Sequence, residues 1–177
     1  CTRLVIEQAT QIRNLVNEFS SFAKFPTANP RPTELGPIIE ETLALYRDGY
    51  DNVEFISKIE ENIPVLNLDA QHMKQAMINL VDNAISAIRE NGRIWVAANH
   101  DPGARSVRIE VADDGPGISD LYKARLFEPN FSTKKSGMGL GLTIVSSIVA
   151  DHNGVVGVRN NEPRGAKFVI ELPVEAV

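Results

Sequence analysis

The sequence NLVDNA at residues 79–84, followed by DDGPGI at 113–118 and GMGLGLT at 137–143, decides how the rest of this chain is interpreted. Asn79 and Asn83 are four residues apart, so on a helix both side chains lie on one face, one turn apart. Amide oxygens are hard ligands that suit Mg²⁺, which usually keeps several waters and binds through substrate phosphates. Glycines in the other two stretches let the backbone approach a ligand without interference from Cβ atoms. Together the three stretches predict a nucleotide pocket.

The composition is that of an ordinary globular domain. The chain has 177 residues, of which 43% are hydrophobic and 23% charged, and this length predicts one compact domain with a real core. A net charge of −5 argues against nucleic-acid binding, which needs a basic face. The single cysteine, Cys1, excludes an internal disulfide and fits a reducing compartment. Without a membrane-spanning stretch or a signal-peptide pattern, we expect a cytoplasmic location, with any membrane anchor upstream.

The first 25 residues show a helical heptad pattern that starts abruptly and without Met, as expected for a fragment of a longer protein. This pattern is typical either of an amphipathic helix packed on its own domain or of one arm of a helical dimer. Prolines then predict a stiff linker over residues 26–34, followed by a second domain over 35–177. The apolar positions of the heptad are Val5, Ala9, Ile12, Val16, Phe19 and Ala23.

The periodicities of the second domain alternate between helix and strand. We expect neighbouring strands to be antiparallel with the helices on one face, which is an α+β two-layer sandwich preceded by one long helix. The predicted order is a helix at 35–46, a strand at 53–59, a helix at 69–89, strands at 93–99 and 106–112, a short helix near 119–126, a helix at 138–151, and strands at 155–159 and 166–172.

The asparagine pair goes against helix propensity, because an Asn amide competes for nearby backbone hydrogen bonds. Both residues lie beside Leu80 and Ala84, which fall on the apolar side of the predicted helix. Local violations of this kind tend to mark functional sites. Taken alone, however, the segment is more typical of two solvated Asn side chains on an exposed face.

A predicted strand leads directly into the acidic turn at 113–118. A buried carboxylate at a strand end needs a hydrogen-bond donor, and the exocyclic amine of adenine can be that donor. The glycines would let the backbone turn beneath a flat base. A plain surface loop is the alternative on composition, whereas an EF-hand calcium loop is not supported, because its later ligands are missing.

The stretch at 137–143 leads into a predicted helix, and a helix N-terminus binds phosphate through its orphan N–H groups and partial positive charge. It is not a Walker A loop, since no Gly-Lys-Ser/Thr follows, and it fits a Rossmann turn poorly, since no strand precedes it. A glycine-rich hinge is the alternative. The polar segment before it, 128–137, is typical either of a mobile lid that brings Lys134 to phosphates or of a plain loop.

Taken together, these stretches resemble the N, G1, F, G2 and G3 boxes of the GHKL superfamily, which comprises gyrase, Hsp90, histidine kinase and MutL. The N box is NLVDNA at 79–84, G1 is DDGPGI at 113–118, the F box is LFEP at 126–129 continuing into FSTK at 131–134, G2 is GMGLGL at 137–142, and GAKF at 165–168 is similar to G3. The resemblance covers about residues 35–174 and is strongest to the ATP-binding catalytic domain of a bacterial sensor histidine kinase. It implies a Bergerat ATP-binding fold with a mixed sheet, ATP and Mg²⁺ as cofactors, and protein-histidine kinase activity.

The resemblance also implies residue roles. Asn83 would hold Mg²⁺ through its side-chain oxygen, and Asn79 would lie near the same metal and the phosphates. Asp113 would take the adenine amino group, and Lys134 would join the two Asn residues in the catalytic set. The other nucleotide-binding residues would be Gly115, Gly117, Ile118, Phe127, Gly137, Met138, Gly139, Leu140, Gly141, Leu142 and Thr143.

The identity of residue 79 separates the branches of this superfamily. In the ATP-hydrolysing members a Glu at this position activates water, and the amide of Asn79 cannot act as a general base. This favours phosphate transfer to a protein His. Segments 83–88, 131–134 and 16–23 resemble nitrogen-regulation sensor kinases of the NtrB/NtrY type, although Ser86 stands where many sensor kinases have Lys.

None of the three histidines, His72, His100 and His152, lies in a phosphoacceptor context, and all three are interpreted as structural or solvated. The N-terminal helix would be the second helix of a dimerisation and phosphoacceptor hairpin, so this chain should not label itself. The implied partners are that helical domain, the receiver domain of a response regulator, and a second copy of this chain. The alternatives are an ATP-hydrolysing GHKL enzyme and a non-enzymatic nucleotide-sensing module.

Overall fold

A computed structural model describes residues 27–129, 131 and 139–174. The predicted N-terminal helix lies outside these residues, so it stays a prediction. None of the helices in the described ranges combines the length and the apolar character that a membrane span requires. The described elements are β1 Arg31–Thr33, α1 Leu35–Arg47, β2 Val53–Ile59, β3 Leu66–Leu68, α2 Ala70–Ala87, β4 Gly92–Asp101, β5 Ser106–Asp113, α3 Asp120–Lys123, α4 Gly141–Asp151, β6 Val155–Asn160 and β7 Ala166–Pro173.

Five strands form a mixed sheet in the order β2-β4-β5-β7-β6. The pairs β4–β5, β5–β7 and β6–β7 are antiparallel, as the sequence predicts. The prediction of antiparallel neighbours is wrong for β2, which runs parallel to β4 with Phe55 opposite Ile94. The chain between these two strands passes through α2, and parallel neighbours require a crossover of this kind.

One face of the sheet is covered by helices and the other is open, which confirms the two-layer sandwich. Along β4, residues Ile94, Val96 and Ala98 are buried, and Arg93 and Trp95 alternate with them on the open face. The buried strand positions share one core with the apolar faces of α1, α2 and α4. The side chains that α2 contributes are Met73, Ala76, Met77, Leu80, Val81 and Ala84, each at most 3% exposed.

A second, two-stranded sheet was not predicted. Strand β1 pairs antiparallel with β3, with Arg31 opposite Leu68 and Thr33 opposite Leu66. Strand β1 lies within the segment predicted to be a linker, so part of residues 26–34 is paired with a strand of the segment that follows. Three-residue strands are too short to show a period of two, which explains why the sequence pattern missed them.

The helix that carries the asparagine pair begins at Asp69, as predicted. The Asp69 carboxylate accepts hydrogen bonds from the backbone N–H of Gln71 at 3.0 Å and of His72 at 3.1 Å, and its second oxygen accepts from Asn29 N–H at 2.9 Å. The Asp69 carboxylate thus satisfies two N–H groups in the first turn of α2, as an N-cap side chain does.

A buried histidine ties the end of α4 to the start of α2. Nε2 of His152 accepts from the Asp69 backbone N–H at 2.8 Å, and Nδ1 lies 2.7 Å from the Ile148 carbonyl oxygen. Because an N–H can only donate and a carbonyl can only accept, the proton is on Nδ1 and the ring is neutral. This confirms the structural interpretation of His152, which is 6% exposed.

Replacing Asp69 with Asn is expected to lower the free energy of unfolding at neutral pH by about 0.3–1 kcal/mol, the usual value of an anion at a helix N-terminus. Burial opposes ionisation of Asp69, but the N–H donors of Asn29, His72 and Gln71, together with the nearby His72 ring, outweigh it and hold the carboxyl pKa below its usual value. A lowered folded-state pKa stabilises the fold above the unfolded value of about 3.9 and loses that contribution as pH falls through the folded value. In urea titrations, the gap between wild type and Asp69→Asn should therefore close below about pH 4. A gap of constant size down to pH 2 would contradict this account.

Candidate nucleotide site

The asparagine pair lies where α2 meets the start of α4. Leu80 and Ala84 are buried in the core, and Asn79 and Asn83 beside them are half-buried. A Cβ atom added to Gly141, the first residue of α4, would lie 3.8 Å from Asn79 Oδ1. Among the residues that the structure describes, none accepts a hydrogen bond from the buried Nδ2 of Asn79. A buried donor without an acceptor is costly and tends to mark a functional position, and the Oδ1 atom of Asn79 borders the start of α4.

Helix α4 begins without a side-chain cap. Its N-cap residue is Leu140, whose side chain cannot accept a hydrogen bond, and the first helical bond runs from Ile144 N–H to Leu140 O at 2.9 Å. The backbone N–H groups of Gly141, Leu142 and Thr143 therefore lie in the first turn, where helices have no internal acceptors. This is the geometry in which a helix N-terminus accepts an anion.

Only glycine fits at position 139. Its φ is +69°, and a Cβ there would lie 2.3 Å from the Phe131 carbonyl oxygen. Thr143 Oγ1 lies 3.3 Å from the Phe127 carbonyl oxygen, and the Phe127 ring meets Phe168 edge-on with the centroids 6.4 Å apart. The described part of the predicted F box is thus packed against the start of α4. Phe131 and Gly139, on either side of residues 132–138, lie next to each other.

Asp113 is the last residue of β5 and is 2% exposed. Its Oδ1 accepts hydrogen bonds from Gly115 N–H at 2.8 Å and from Ala166 N–H at 3.2 Å. A Cβ on Gly115 would lie 2.8 Å from that same oxygen and 3.1 Å from the Ala87 methyl group at the end of α2. The acidic turn is therefore pressed against α2, and the carboxylate is held in one orientation.

The turn between β6 and β7, residues 160–165, holds the acidic turn from the other side. Asn160 Oδ1 accepts from Ile118 N–H at 3.2 Å, and Asn161 Nδ2 donates to the Asp113 carbonyl oxygen at 3.0 Å. Gly117 has φ +77°, and a Cβ there would lie 3.0 Å from the Gly165 carbonyl oxygen. In the sequence, this turn is marked only by the similarity of 165–168 to a G3 box. Neither Asn was predicted as a site residue, since a single polar residue in a turn has no spacing pattern that would distinguish it.

Helix α2 brings the sequence clusters together. Its N box faces the start of α4, and its C-terminal end meets the acidic turn. Asn79 and Ala87 are eight residues apart, which is about 12 Å along the helix. The described members of the predicted site thus lie along one side of α2 or in the turns packed on it, with Ile118 and Phe127 partly buried against the core. Lys134, Gly137 and Met138 lie outside the described residues.

A cavity of about 700 Å³ lies elsewhere, on the open face of the sheet. Trp95, Ala97 and Glu110 line it, and none of the predicted nucleotide residues does. Both oxygens of Glu110 are engaged there, one by Arg159 at 3.1 Å and the other by Lys167 at 3.0 Å. Asp114 and Asn161, in the two turns beside Asp113, also line this cavity, so one end of it lies next to the acidic turn.

Comparison with known proteins finds sensor kinases among those similar to this chain. Residues 68–176 match the family described as histidine kinase-, DNA gyrase B- and HSP90-like ATPase. The chain is 34% identical over 99% of its length to nitrogen regulation protein NtrY of Azorhizobium caulinodans, of which it covers 23%. It is 28% identical over 98% of its length to the sensory histidine kinase/phosphatase NtrB of Azospirillum brasilense, of which it covers 46%. The chain thus spans less than half the length of these relatives.

Solved structures that resemble this chain include those of the histidine kinase ThkA. The catalytic domain of histidine kinase ThkA superposes with a TM-score of 0.73 at 32% identity, over 82% of this chain and 95% of that one. ThkA in complex with the response regulator TrrA gives a TM-score of 0.81 at 27% identity, over 97% of this chain and 50% of that one. Since the family match covers more than half of the chain, this protein belongs to the family of histidine kinase-, DNA gyrase B- and HSP90-like ATPases, as its sequence boxes predict.

Proposed function

We propose that this chain is the ATP-binding catalytic domain of a two-component sensor histidine kinase. It transfers the γ-phosphate of ATP to a His on a separate or upstream helical domain, for relay to an Asp of a response regulator. The observation that carries the proposal is the packing of two elements against α2: the turn that follows the buried carboxylate of Asp113, and the start of α4, which has no side-chain cap and lies beside Asn79.

The base end of the site is built around Asp113. Since Gly115 and Ala166 N–H groups hold one carboxylate oxygen, the group is oriented to accept a hydrogen bond from the exocyclic amine of adenine. Gly115 and Gly117 let the acidic turn pack closely on its neighbours, because a Cβ at either position would meet protein atoms at 3.0 Å or less, and this turn would lie along the flat base. Ile118 supplies apolar surface beside them.

The phosphate end of the site is built around the first turn of α4. Its N–H groups at residues 141–143 and the glycines at 139 and 141 would bind phosphate oxygens, with Leu140, Leu142 and Thr143 in the same turn. The Asn79 amide borders this turn, with its Oδ1 nearest to Gly141, and would lie beside the phosphates and the metal. Lys134, Gly137 and Met138 would complete the cradle from the segment outside the described residues, and Phe127 would anchor its base.

Asn83 is the proposed Mg²⁺ ligand. Its side-chain oxygen is a hard donor one turn from Asn79, and Mg²⁺ is commonly bound by one or two protein oxygens plus substrate phosphates and waters. When bound, the ion neutralises charge that develops on the transferring phosphoryl group. The amide of Asn79 cannot take a proton from water, so the protein offers no general base there for hydrolysis. The chain's own residues therefore bind and orient the nucleotide, and the partner domain supplies the His that accepts the phosphoryl group.

A reconstituted labelling assay tests the proposal. The full chain is mixed with γ-labelled ATP, Mg²⁺ and a separately supplied helical hairpin domain that carries a phosphoacceptor His. We expect label on the hairpin and none on the chain alone, followed by transfer to a receiver domain. ATP binding without labelling of any hairpin would contradict the kinase proposal. Steady phosphate release by the chain alone would favour the ATP-hydrolysing alternative, and failure to bind ATP or ADP would favour the non-enzymatic one.

Replacing Asn83 with Ala is expected to raise the Mg²⁺ concentration for half-maximal ATP binding by about tenfold, the change produced by losing about 1.4 kcal/mol of ligand interaction. The effect should appear when Mg²⁺ is titrated at fixed ATP by calorimetry, and excess chelator should abolish labelling of the hairpin by wild type. Asn99→Ala is the matched control, since Asn99 lies opposite Arg108 and is five residues along β4 from Ile94, the partner of Asp113. An unchanged Mg²⁺ titration in Asn83→Ala would show that Asn83 is not the metal ligand.

The remaining partners follow from the same proposal. The complex of ThkA with TrrA is that of a kinase with its response regulator, and we propose a response regulator as the downstream partner here. Dimerisation through the N-terminal helix, the division of the chain at residues 26–34, and a cytoplasmic location with the parent protein anchored upstream stay predictions.

A further inference from the structure

We propose that Asn161, in the turn between β6 and β7, is a positioning residue for adenine recognition. This inference rests on the proposed ATP site and adds to it the element that fixes the direction of the Asp113 carboxylate. Asn161 contacts the backbone of Asp113, so it acts through that residue.

The need for such a residue follows from the sheet register. Strand β7 pairs with β5 as far as Ala112, which lies opposite Lys167. Asp113 is one residue beyond that pairing, and its carbonyl oxygen accepts from the side chain of Asn161 at 3.0 Å. At Asp113, the Asn161 side chain thus supplies the hydrogen bond that a residue of β7 would otherwise supply.

The turn and the first residue of β7 together make three contacts with Asp113. Besides the Asn161 bond, Ala166 N–H donates to Asp113 Oδ1 at 3.2 Å, and Gly165 packs against the Asp113 carbonyl so closely that an added Cβ would lie 1.8 Å from it. The turn is itself closed by a hydrogen bond of 2.8 Å from Asn161 N–H to Gly165 O. Asn161 is therefore bonded both to the turn and to the carboxylate residue, and a shift of the turn would shift the carboxylate.

The orientation of the two Asn amides is set by their partners. Asn161 faces a carbonyl oxygen, which can only accept, so its Nδ2 donates. Asn160 faces the Ile118 N–H, which can only donate, so its Oδ1 accepts. The same Asn→Asp substitution therefore has different consequences at neighbouring positions: Asp at 160 keeps the acceptor, and Asp at 161 removes the donor.

The test compares the affinities of the full chain for ATP and GTP, by calorimetry with Mg²⁺, for wild type and four variants. Asn161→Ala and Asn161→Asp are expected to weaken ATP binding by about 3- to 12-fold, the loss typical of one neutral hydrogen bond. GTP binding should change little, since guanine lacks the amine that Asp113 recognises, so the ratio of the two affinities falls by the same factor. Asn160→Asp should keep most of the ATP preference, and Asn99→Asp, which adds the same charge on the open face of β4, should leave both affinities unchanged.

A purely structural role for Asn161 would lower the thermal midpoint and weaken both nucleotides together, leaving their ratio unchanged, and that result would overturn the inference. Equal losses in Asn160→Asp and Asn161→Asp, with none in Asn161→Ala, would assign the effect to charge and also overturn it. If wild type binds neither nucleotide, the proposed ATP site itself fails. If wild type prefers ATP and Asn161→Ala prefers it equally, the ATP site stands and only the role of Asn161 fails.

Discussion

Alanine at position 165 is expected to lower the free energy of unfolding by more than about 4 kcal/mol, because it combines a strained backbone with overlap in a packed region. Gly165 has φ +108°, which side-chain-bearing residues rarely adopt. An added Cβ would lie 1.8 Å from the Asp113 carbonyl oxygen and 3.0 Å from the Asp114 Cα. Both obstacles are backbone atoms, so no rotamer change can relieve the overlap.

Relief would require the turn to move away from β5. Such a movement would break the contacts of Asn161 and Ala166 with Asp113, so nucleotide binding should be lost together with stability. Urea denaturation at constant pH measures the first effect, and calorimetry with ATP measures the second.

Gly157 provides the matched control for this prediction. It lies in β6, close in sequence to the same turn, and apart from its two chain neighbours no described residue has an atom within 4 Å of the position that its Cβ would take. Gly157→Ala should therefore be neutral or raise stability by up to about 1 kcal/mol, since alanine restricts the unfolded chain. Similar stabilities for Gly165→Ala and Gly157→Ala would show that the turn does not pack on Asp113 as described.

Replacing Asp113 with Asn is expected to weaken ATP binding by at least about 100-fold while leaving the fold intact. The amide oxygen of Asn can still accept from Gly115 and Ala166 N–H, which are the two backbone donors to Asp113 Oδ1. The other oxygen is replaced by an NH₂ group. In the variant this NH₂ group would face the adenine amine, so two donors would meet where the wild type has a donor and an acceptor. ATP binding would weaken because buried donors without acceptors are costly.

Nucleotide choice makes this prediction specific. Guanine presents an acceptor, O6, where adenine presents the N6 amine. Asp113→Asn should therefore lose ATP affinity far more than GTP affinity, and its thermal midpoint should stay within a few degrees of wild type. Asp113→Ala, which removes both oxygens, should lose stability as well, because Gly115 and Ala166 N–H would have no acceptor. Wild-type ATP affinity in Asp113→Asn would exclude the proposed role of this carboxylate.

The elements that carry the site were predictable because each has a local signal. Helix α2 shows apolar spacing with an Asp cap, and Asp69 accepts the expected N–H groups at its start. Strands β4 and β5 alternate buried and part-exposed residues, and the strand predicted at 106–112 runs one residue further, to the buried Asp113. The order of the boxes then indicated the family, which the match over residues 68–176 confirms.

The features that were missed depend on contacts between distant parts of the chain. Strands β1 and β3 are three residues long and exist through their pairing with each other. His152 is 83 residues from Asp69, and the bond between them joins the ends of α4 and α2. The parallel pairing of β2 with β4 likewise depends on the crossover through α2. A pattern in a short window contains no information about which distant backbone group a side chain will reach.

The sequence by itself determined the secondary structure around the site, the family, and the residue types available for a base, for phosphates and for a metal. These follow from local propensity and from the spacing of side chains along a helix or strand. The tertiary structure alone decided how those residues are oriented: the turn at 160–165 fixes the Asp113 carboxylate, and α4 meets α2 at Asn79. The physical reason is that a hydrogen bond requires a donor and an acceptor within about 3 Å, and only the folded chain brings groups so far apart in sequence to that distance.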